Sequence, residues 1–312
     1  MFFNYLLLFF SICATSGKAI FCKLVGTTNK STSFFLSNFK SFVVAFILSL
    51  IFSINKLHLL FSISTFSILL SLFFAFAVFF TQAMQIKAME AGSTTLTTLI
   101  YSCGFLLPII YSAIAFSERI SVLQIIGVAI LLLAIYLIVF DKGKVDGSAS
   151  LKWFILAVCS MLGSGTIAII QKTHQLSSFS SELPLFLIYA FLFCSIFSIL
   201  GHLVFGKAKD SATEISEDAI KTEPPKEPFS IKGFFKKNYS PLLLGVFVGG
   251  LNFLNLLLSG KIPSVIHFPT SNVGSLILTN VLSIILFKEK LKLKQKIGCV
   301  VGVIAILIVG LF

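Results

Sequence analysis

The sequence predicts an all-α polytopic membrane protein with ten transmembrane helices, arranged as two inverted five-helix repeats. Three observations predict it. Of the 312 residues, 57% are hydrophobic and 12% are charged, whereas a soluble globular domain carries roughly 25% charged residues. Apolar runs recur at the length, about 20 residues, that crosses a hydrocarbon core of roughly 30 Å. A twelve-residue pattern also occurs twice, 171 positions apart. Phe116-Ser117-Glu118-Arg119-Ile120-Ser121-Val122-Leu123-Gln124-Ile125-Ile126-Gly127 fits F-x-E-[RK]-[IL]-x-[VL]-x-Q-x-I-G. The segment from Phe287 to Gly298, which includes Glu289 and Gln295, fits the same template without a gap.

The runs follow in order. The first, 2–22, begins like a secretory signal. No basic segment precedes it, however, no small-x-small cleavage site is clear, and it stays apolar to Cys22, so it reads as a membrane span. Spans at 34–54, 62–84, 92–116 and 121–140 complete a first half, residues 1–140. Spans at 151–171, 183–205, 239–260, 263–287 and 296–312 form a second half, residues 151–312. Pro108, Pro263 and Pro269 are placed to kink or start the fourth and ninth helices. Residues 206–238 interrupt the second half. They hold six of the chain's twelve acids, seven lysines and Pro224, Pro225 and Pro228, so they read as a flexible charged linker. The repeat offset covers five crossings. An odd number reverses direction, so equivalent helices run antiparallel across the membrane.

The lysines set the orientation. The loops after spans 1, 3, 5, 7 and 9 are lysine-rich, while the even loops hold Lys56, Arg119, Lys172 and Lys261. By the positive-inside rule the linker is cytoplasmic and both termini are outside. The same distribution explains the net charge of +12 without nucleic acid. The expected surroundings are the lipid bilayer of a cell (plasma) membrane. Cys13, Cys22, Cys103, Cys159, Cys194 and Cys299 lie inside apolar runs and form no C-x-x-C, so they read as small apolar filler, with neither metal nor disulfide framework.

Enzymatic chemistry is not expected. Gly17-Lys18, Gly143-Lys144, Gly206-Lys207 and Gly260-Lys261 are none of them followed by Ser or Thr, so no phosphate-binding G-K-[ST] loop is completed. H-E-x-x-H is absent and His58, His174, His202 and His267 are scattered. No cofactor or metal is implied.

The polar residues inside the spans are the candidate site. An ionisable group in a span costs about 2.5–3.5 kcal/mol on insertion scales and is a functional hypothesis by default. Lys18 and Lys40 are such groups, and Lys18 shares a helical face with Ser11, Thr15 and Cys22. No carboxylate lies mid-span: Glu90, Glu118, Asp141, Asp146, Glu182 and Glu289 fall at span edges or in turns. A cationic solute is disfavoured by this, and a neutral, zwitterionic or anionic one suits an internal ammonium. Gln82 faces Gln85; Thr98 and Tyr101 share a face with Thr94; Asn252 and Asn255 project together; His267, Ser271 and Ser275 form a line with Asn272 beside it. Two readings of these faces stay open: hydrogen bonds between helices, or the lining of a cavity. Glu118 and Glu289, each ahead of a helix start, read as structural caps, with Gln124 and Gln295 able to bridge to the same turn. Phe116, Gly127, Phe287 and Gly298 complete the structural motif. Gly245-x-x-x-Gly249 and Gly298-x-x-x-Gly302 permit close helix approach, inside the bundle or across a homodimer.

The two motif copies, each opening the last helix of a five-helix half, resemble the drug/metabolite transporter superfamily, in particular its EamA-like ten-helix members. The resemblance covers nearly the whole chain except the linker. It implies a secondary transporter, an exporter of small polar metabolites such as amino acids, working by alternating access with a solute path between the halves. Relatives that carry nucleotide sugars or phosphosugars supply the alternative within transport. A non-transporting membrane scaffold acting through 206–238 is the alternative outside it. Several relatives have both termini in the cytosol, the opposite of the lysine distribution here.

Overall fold

A computed structural model describes residues 2–28, 34–92, 94–139, 151–205, 231–287 and 293–311. The described residues form eleven α-helices. They are α1 (Phe2–Thr28), α2 (Phe34–Phe52), α3 (Thr65–Ala91), α4 (Thr94–Ser102), α5 (Leu106–Ala115) and α6 (Val122–Val139), then α7 (Leu151–Leu176), α8 (Leu183–Phe205), α9 (Ile231–Ser259), α10 (Ser264–Phe287) and α11 (Leu293–Leu311). Short 3-10 turns occupy Ile54–Ser62, Cys103–Phe105 and Ser180–Glu182. Among the described residues, six stretches have the length and apolar character to cross a bilayer: Phe3–Gly26, Phe34–Phe52, Thr65–Ala91, Leu151–Leu176, Ser180–Val204 and Asn238–Ser259. Shorter apolar stretches lie at Ile100–Ala115, Val122–Ala134 and Lys296–Ala305. The chain is an all-helical polytopic membrane protein.

The helices start and break for local reasons. Ser64 opens α3 by accepting the Ser67 N–H on its Oγ at 3.2 Å, which meets one of the donors a helix start leaves over. The fourth apolar run is not one straight helix. Pro108 cannot donate to the Gly104 carbonyl, and its ring crowds that carbonyl. The chain tightens to a 3-10 turn at Cys103–Phe105 and resumes as α5. Pro269 sits inside an uninterrupted α10, and Pro263 immediately precedes that helix. Several boundaries differ from the sequence expectation: α1 runs on to Thr28 and α3 to Ala91, so Lys23 and Lys87 are helical. Helix α7 runs on to Leu176, so Lys172 is helical rather than a loop lysine. Helix α9 starts at Ile231, inside the stretch read as linker, because lysine propagates a helix nearly as well as alanine does. Residues 206–230 lie outside the described residues.

Packing joins the two parts of the chain throughout. Helix α6 lies along α11, α2 along α8, and α3 along α7. Helix α1 packs on α9 and α10, α2 on α9, and α3 on α8. The larger buried cluster includes Phe42, Phe74, Phe186, Phe191 and Leu244, and a second one is built on Phe105, Leu131, Phe268 and Leu276. Many large apolar side chains point outward, among them Phe3, Phe73, Ile114 and Ile285, as lipid-facing residues do. Close helix approach rests on glycine. A Cβ on Gly245 would sit 2.3 Å from the Ser41 carbonyl oxygen, and one on Gly249 3.2 Å from Ala45 Cα, so this glycine pair seats α9 on α2. Gly302 faces Ile277, Ala134 and Val273. Gly245, Gly249 and Gly302 therefore serve contacts within this chain.

Candidate functional site

A narrow polar cavity lies where α1, α3, α4, α7, α9 and α10 converge. Seven of the residues singled out in the sequence line it: Lys18, Gln82, Tyr101, Asn252, Asn255, Ser271 and Asn272. Val78, Phe105, Ile167, Leu251 and Phe268 add apolar wall. Its volume is about 50 Å³, room for a few water molecules at roughly 10–15 Å³ each.

Lys18 is the cation of this lining, which contains no carboxylate. Its side chain is 6% exposed. Nζ lies 3.3 Å from Tyr101 Oη and 4.9 Å from the centre of the Tyr101 ring. A phenol and its π face offset part of the loss of water around an ammonium, without neutralising it. The tyrosine therefore steadies the cation and leaves its charge for another partner. The amides around it are tied to the frame. Gln171 Nε2 donates to Asn252 Oδ1 at 3.2 Å, and Asn252 Nδ2 donates to the Val248 carbonyl at 2.8 Å. Asn255 Oδ1 accepts from Ser11 Oγ at 2.5 Å, and Asn272 Nδ2 donates to the Phe268 carbonyl at 2.9 Å.

Three predicted site residues do not reach the cavity. Lys40, half-buried, donates to Asn238 Oδ1 at 2.6 Å and ties α2 to α9. Thr98 is buried one turn from Tyr101, outside the lining. His267 is fully buried, stacked on Phe268 at 4.6 Å, with Nε2 3.4 Å from Asn255 Oδ1. It backs a lining residue without being one. Three polar lining residues were not chosen as site residues from the sequence: Thr15, Ser164 and Gln171. Thr15 had been placed on the face of Lys18. Ser164 and Gln171 stand seven residues apart, two turns along one face of α7, and that spacing is the signal that could have found them.

The repeat motif lies away from the cavity. Glu118 Oε1 pairs with Lys172 Nζ at 2.5 Å, and Glu118 Oε2 accepts the Ser264 N–H at 3.0 Å. Lys172 is buried, its side chain 4% exposed. Glu118 thus caps a helix start, but that of α10 rather than of α6, which follows it in the chain. Ser117 adopts a left-handed φ of 51° in the turn that presents it. Helix α6 is capped by its own residues: Ser121 N–H donates to Gln124 Oε1 at 2.9 Å, and Gln124 N–H to Ser121 Oγ at 3.1 Å, a reciprocal capping box. Phe116 ends α5 with its ring edge-on to Tyr111 at 5.6 Å. Gly127 and Gly298 are buried in α6 and α11, and Phe287 ends α10. Glu289 and the Gln295 side chain lie outside the described residues.

The profile of the EamA-like transporter family matches residues 151–311, just over half of the chain. The chain belongs to the EamA-like transporter family. None of the curated proteins matches it in sequence. Over its whole length it is similar in fold to a solved structure titled "Crystal structure of protein", with a TM-score of 0.71 at 13% identity, covering 99% of this chain and 96% of that one. Membership of the EamA-like family implies membrane transport and a non-enzymatic role. The polar cavity is enclosed by helices that are apolar outside.

Proposed function

We propose that this EamA-like protein is a secondary transporter, an exporter of small polar metabolites such as amino acids, working by alternating access in the plasma membrane. The observation that carries the reading is Lys18: one cation, buried against Tyr101, in a cavity lined by hydroxyls and amides and free of carboxylates. Charge-assisted hydrogen bonds from an ammonium suit a carboxylate-bearing solute. At about 50 Å³ the cavity is too small for one, so loading requires the surrounding helices to part.

The packing supports ten crossings in two inverted halves, residues 1–140 and 151–312. Helices α4 and α5 act as one broken span. The contact of α2 with α9 is answered by that of α8 with α3, and that of α1 with α9 by α7 with α3. Ser16 Oγ donates to the Ser275 carbonyl at 3.1 Å, joining α1 to α10; Ser164 Oγ donates to the Tyr101 carbonyl at 3.2 Å, joining α7 to α4. These serines, in comparable places on the first helix of each half, make comparable contacts, as two related halves that rock around a central site would make.

A nucleotide-sugar or phosphorylated-sugar antiporter would have to hold two or more negative charges, and the lining offers one cation. Counterflow in proteoliposomes separates the two. Amino acids exchanging across the membrane, with sugar phosphates and nucleotide sugars inert, is the expected result. Exchange of the phosphorylated solutes alone refutes the proposal.

A further inference from the structure

Gln82 stands on α3 between the cavity and α2. Its Nε2 donates to Asn38 Oδ1 at 3.0 Å and to Ser41 Oγ at 3.0 Å. The Ser41 hydroxyl proton is engaged elsewhere, on the Asn38 carbonyl at 2.8 Å. A hydroxyl has one proton to give, so in this arrangement Ser41 Oγ meets Gln82 as an acceptor, and the Gln82 atom facing it is the amide nitrogen. Gln82 lines the cavity, whereas Asn38 and Ser41 do not. Its Oε1 is the atom left over, buried and with no hydrogen-bond partner in the protein. Gln171 and Asn272 share this bias, their amide nitrogens bound to Asn252 and to the Phe268 carbonyl, whereas Asn255 has its oxygen bound, accepting from Ser11.

We infer that Asn38 and Ser41 are positioning residues that hold Gln82 oxygen-inward, and that Gln82 selects solutes carrying a hydrogen-bond donor, an ammonium or a hydroxyl, beside their anionic group. The inference rests on the reading of the cavity as the solute site and deepens it. Lys18 takes the anion and does not discriminate between a plain carboxylate and its amino or hydroxy counterpart. Gln82 does, because a buried carbonyl oxygen gains a partner from the second kind and none from the first. The frame prevents the amide from turning over to suit a solute with acceptors alone.

The test is binding to the purified protein, measured for two matched series: alanine, lactate and propanoate, then phenylalanine, phenyllactate and phenylpropanoate. The wild-type protein is expected to bind the better of the amino and hydroxy acids about tenfold more tightly than the donor-free carboxylate. Which of the two is better identifies the donor. Gln82→Leu should bring that ratio close to one. Ser41→Ala, which frees the amide to turn, should lower the ratio at least threefold; Ser41→Thr, which keeps the hydroxyl, should retain it. A ratio untouched by Gln82→Leu or by Ser41→Ala, or a wild-type ratio near one, overturns the role of Gln82 while carboxylate binding still supports the site. If the wild-type protein binds no member of either series, the site reading falls and the inference with it.

Discussion

The ion pair of Lys172 with Glu118 joins the turn between α5 and α6 to the far end of α7, and Glu118 also holds the start of α10. One substitution on each side tests how much it stabilises. Glu118→Gln keeps an acceptor for the Ser264 N–H and removes the charge; Lys172→Met keeps the stem and removes the ammonium. Removing one partner of a fully buried pair costs about 3–5 kcal/mol, mostly because the other charge stays buried and unpaired. Lys172 is 4% exposed and Glu118 20%. Glu118→Gln strands the more deeply buried group and should therefore cost about 3 kcal/mol, with Lys172→Met costing less, about 2 kcal/mol. The double variant strands no charge. It should recover most of the loss, giving a coupling energy of about 2 kcal/mol or more in a double-mutant cycle. Reversible unfolding in mixed micelles measures all four proteins. Single-variant losses that simply add in the double variant, with coupling below about 0.5 kcal/mol, refute the reasoning.

Two further outcomes concern packing and capping. Gly104→Ala would place a Cβ 2.1 Å from Ser164 Oγ and 2.7 Å from the Met161 carbonyl oxygen, while Gly250→Ala meets nothing within 4 Å. Melting curves should show the first destabilised by about 1–3 kcal/mol and the second nearly unchanged; equal effects contradict the packing of α5 and its 3-10 turn on α7. Ser121→Ala removes half of the capping box on α6 and should cost about 1 kcal/mol in the same measurement. No loss would show that the box does not hold that helix start.

Apolar runs made the fold legible, because a span has to satisfy its own backbone and present hydrocarbon to lipid. The fourth run shows where that signal stops. Its break depends on Pro108 acting on the Gly104 carbonyl and on Ser164 filling the space beside Gly104, and the second of these is a contact 60 residues away. The site divides in the same way. Helical faces identified Lys18, Asn252 and Asn255, since spacing along one helix fixes which side chains project together. It does not fix what they project toward. Thr98 and His267 share faces with lining residues and still miss the cavity. Lys172 was misplaced for a related reason. A lysine at a span edge looks like a loop residue until its buried partner is known, and Glu118 lies 54 positions earlier in the chain.

The most direct test of the central claim is counterflow of amino acids in proteoliposomes, comparing the wild-type protein with Lys18→Ala at equal reconstitution. Losing a charge-assisted hydrogen bond to the solute removes about 1.5–3 kcal/mol, which is roughly a ten- to hundred-fold loss of transport at limiting solute. The account predicts a loss of that size, with Lys40→Ala, whose lysine lies outside the cavity, close to wild type. Transport by Lys18→Ala equal to that of the wild-type protein would contradict it.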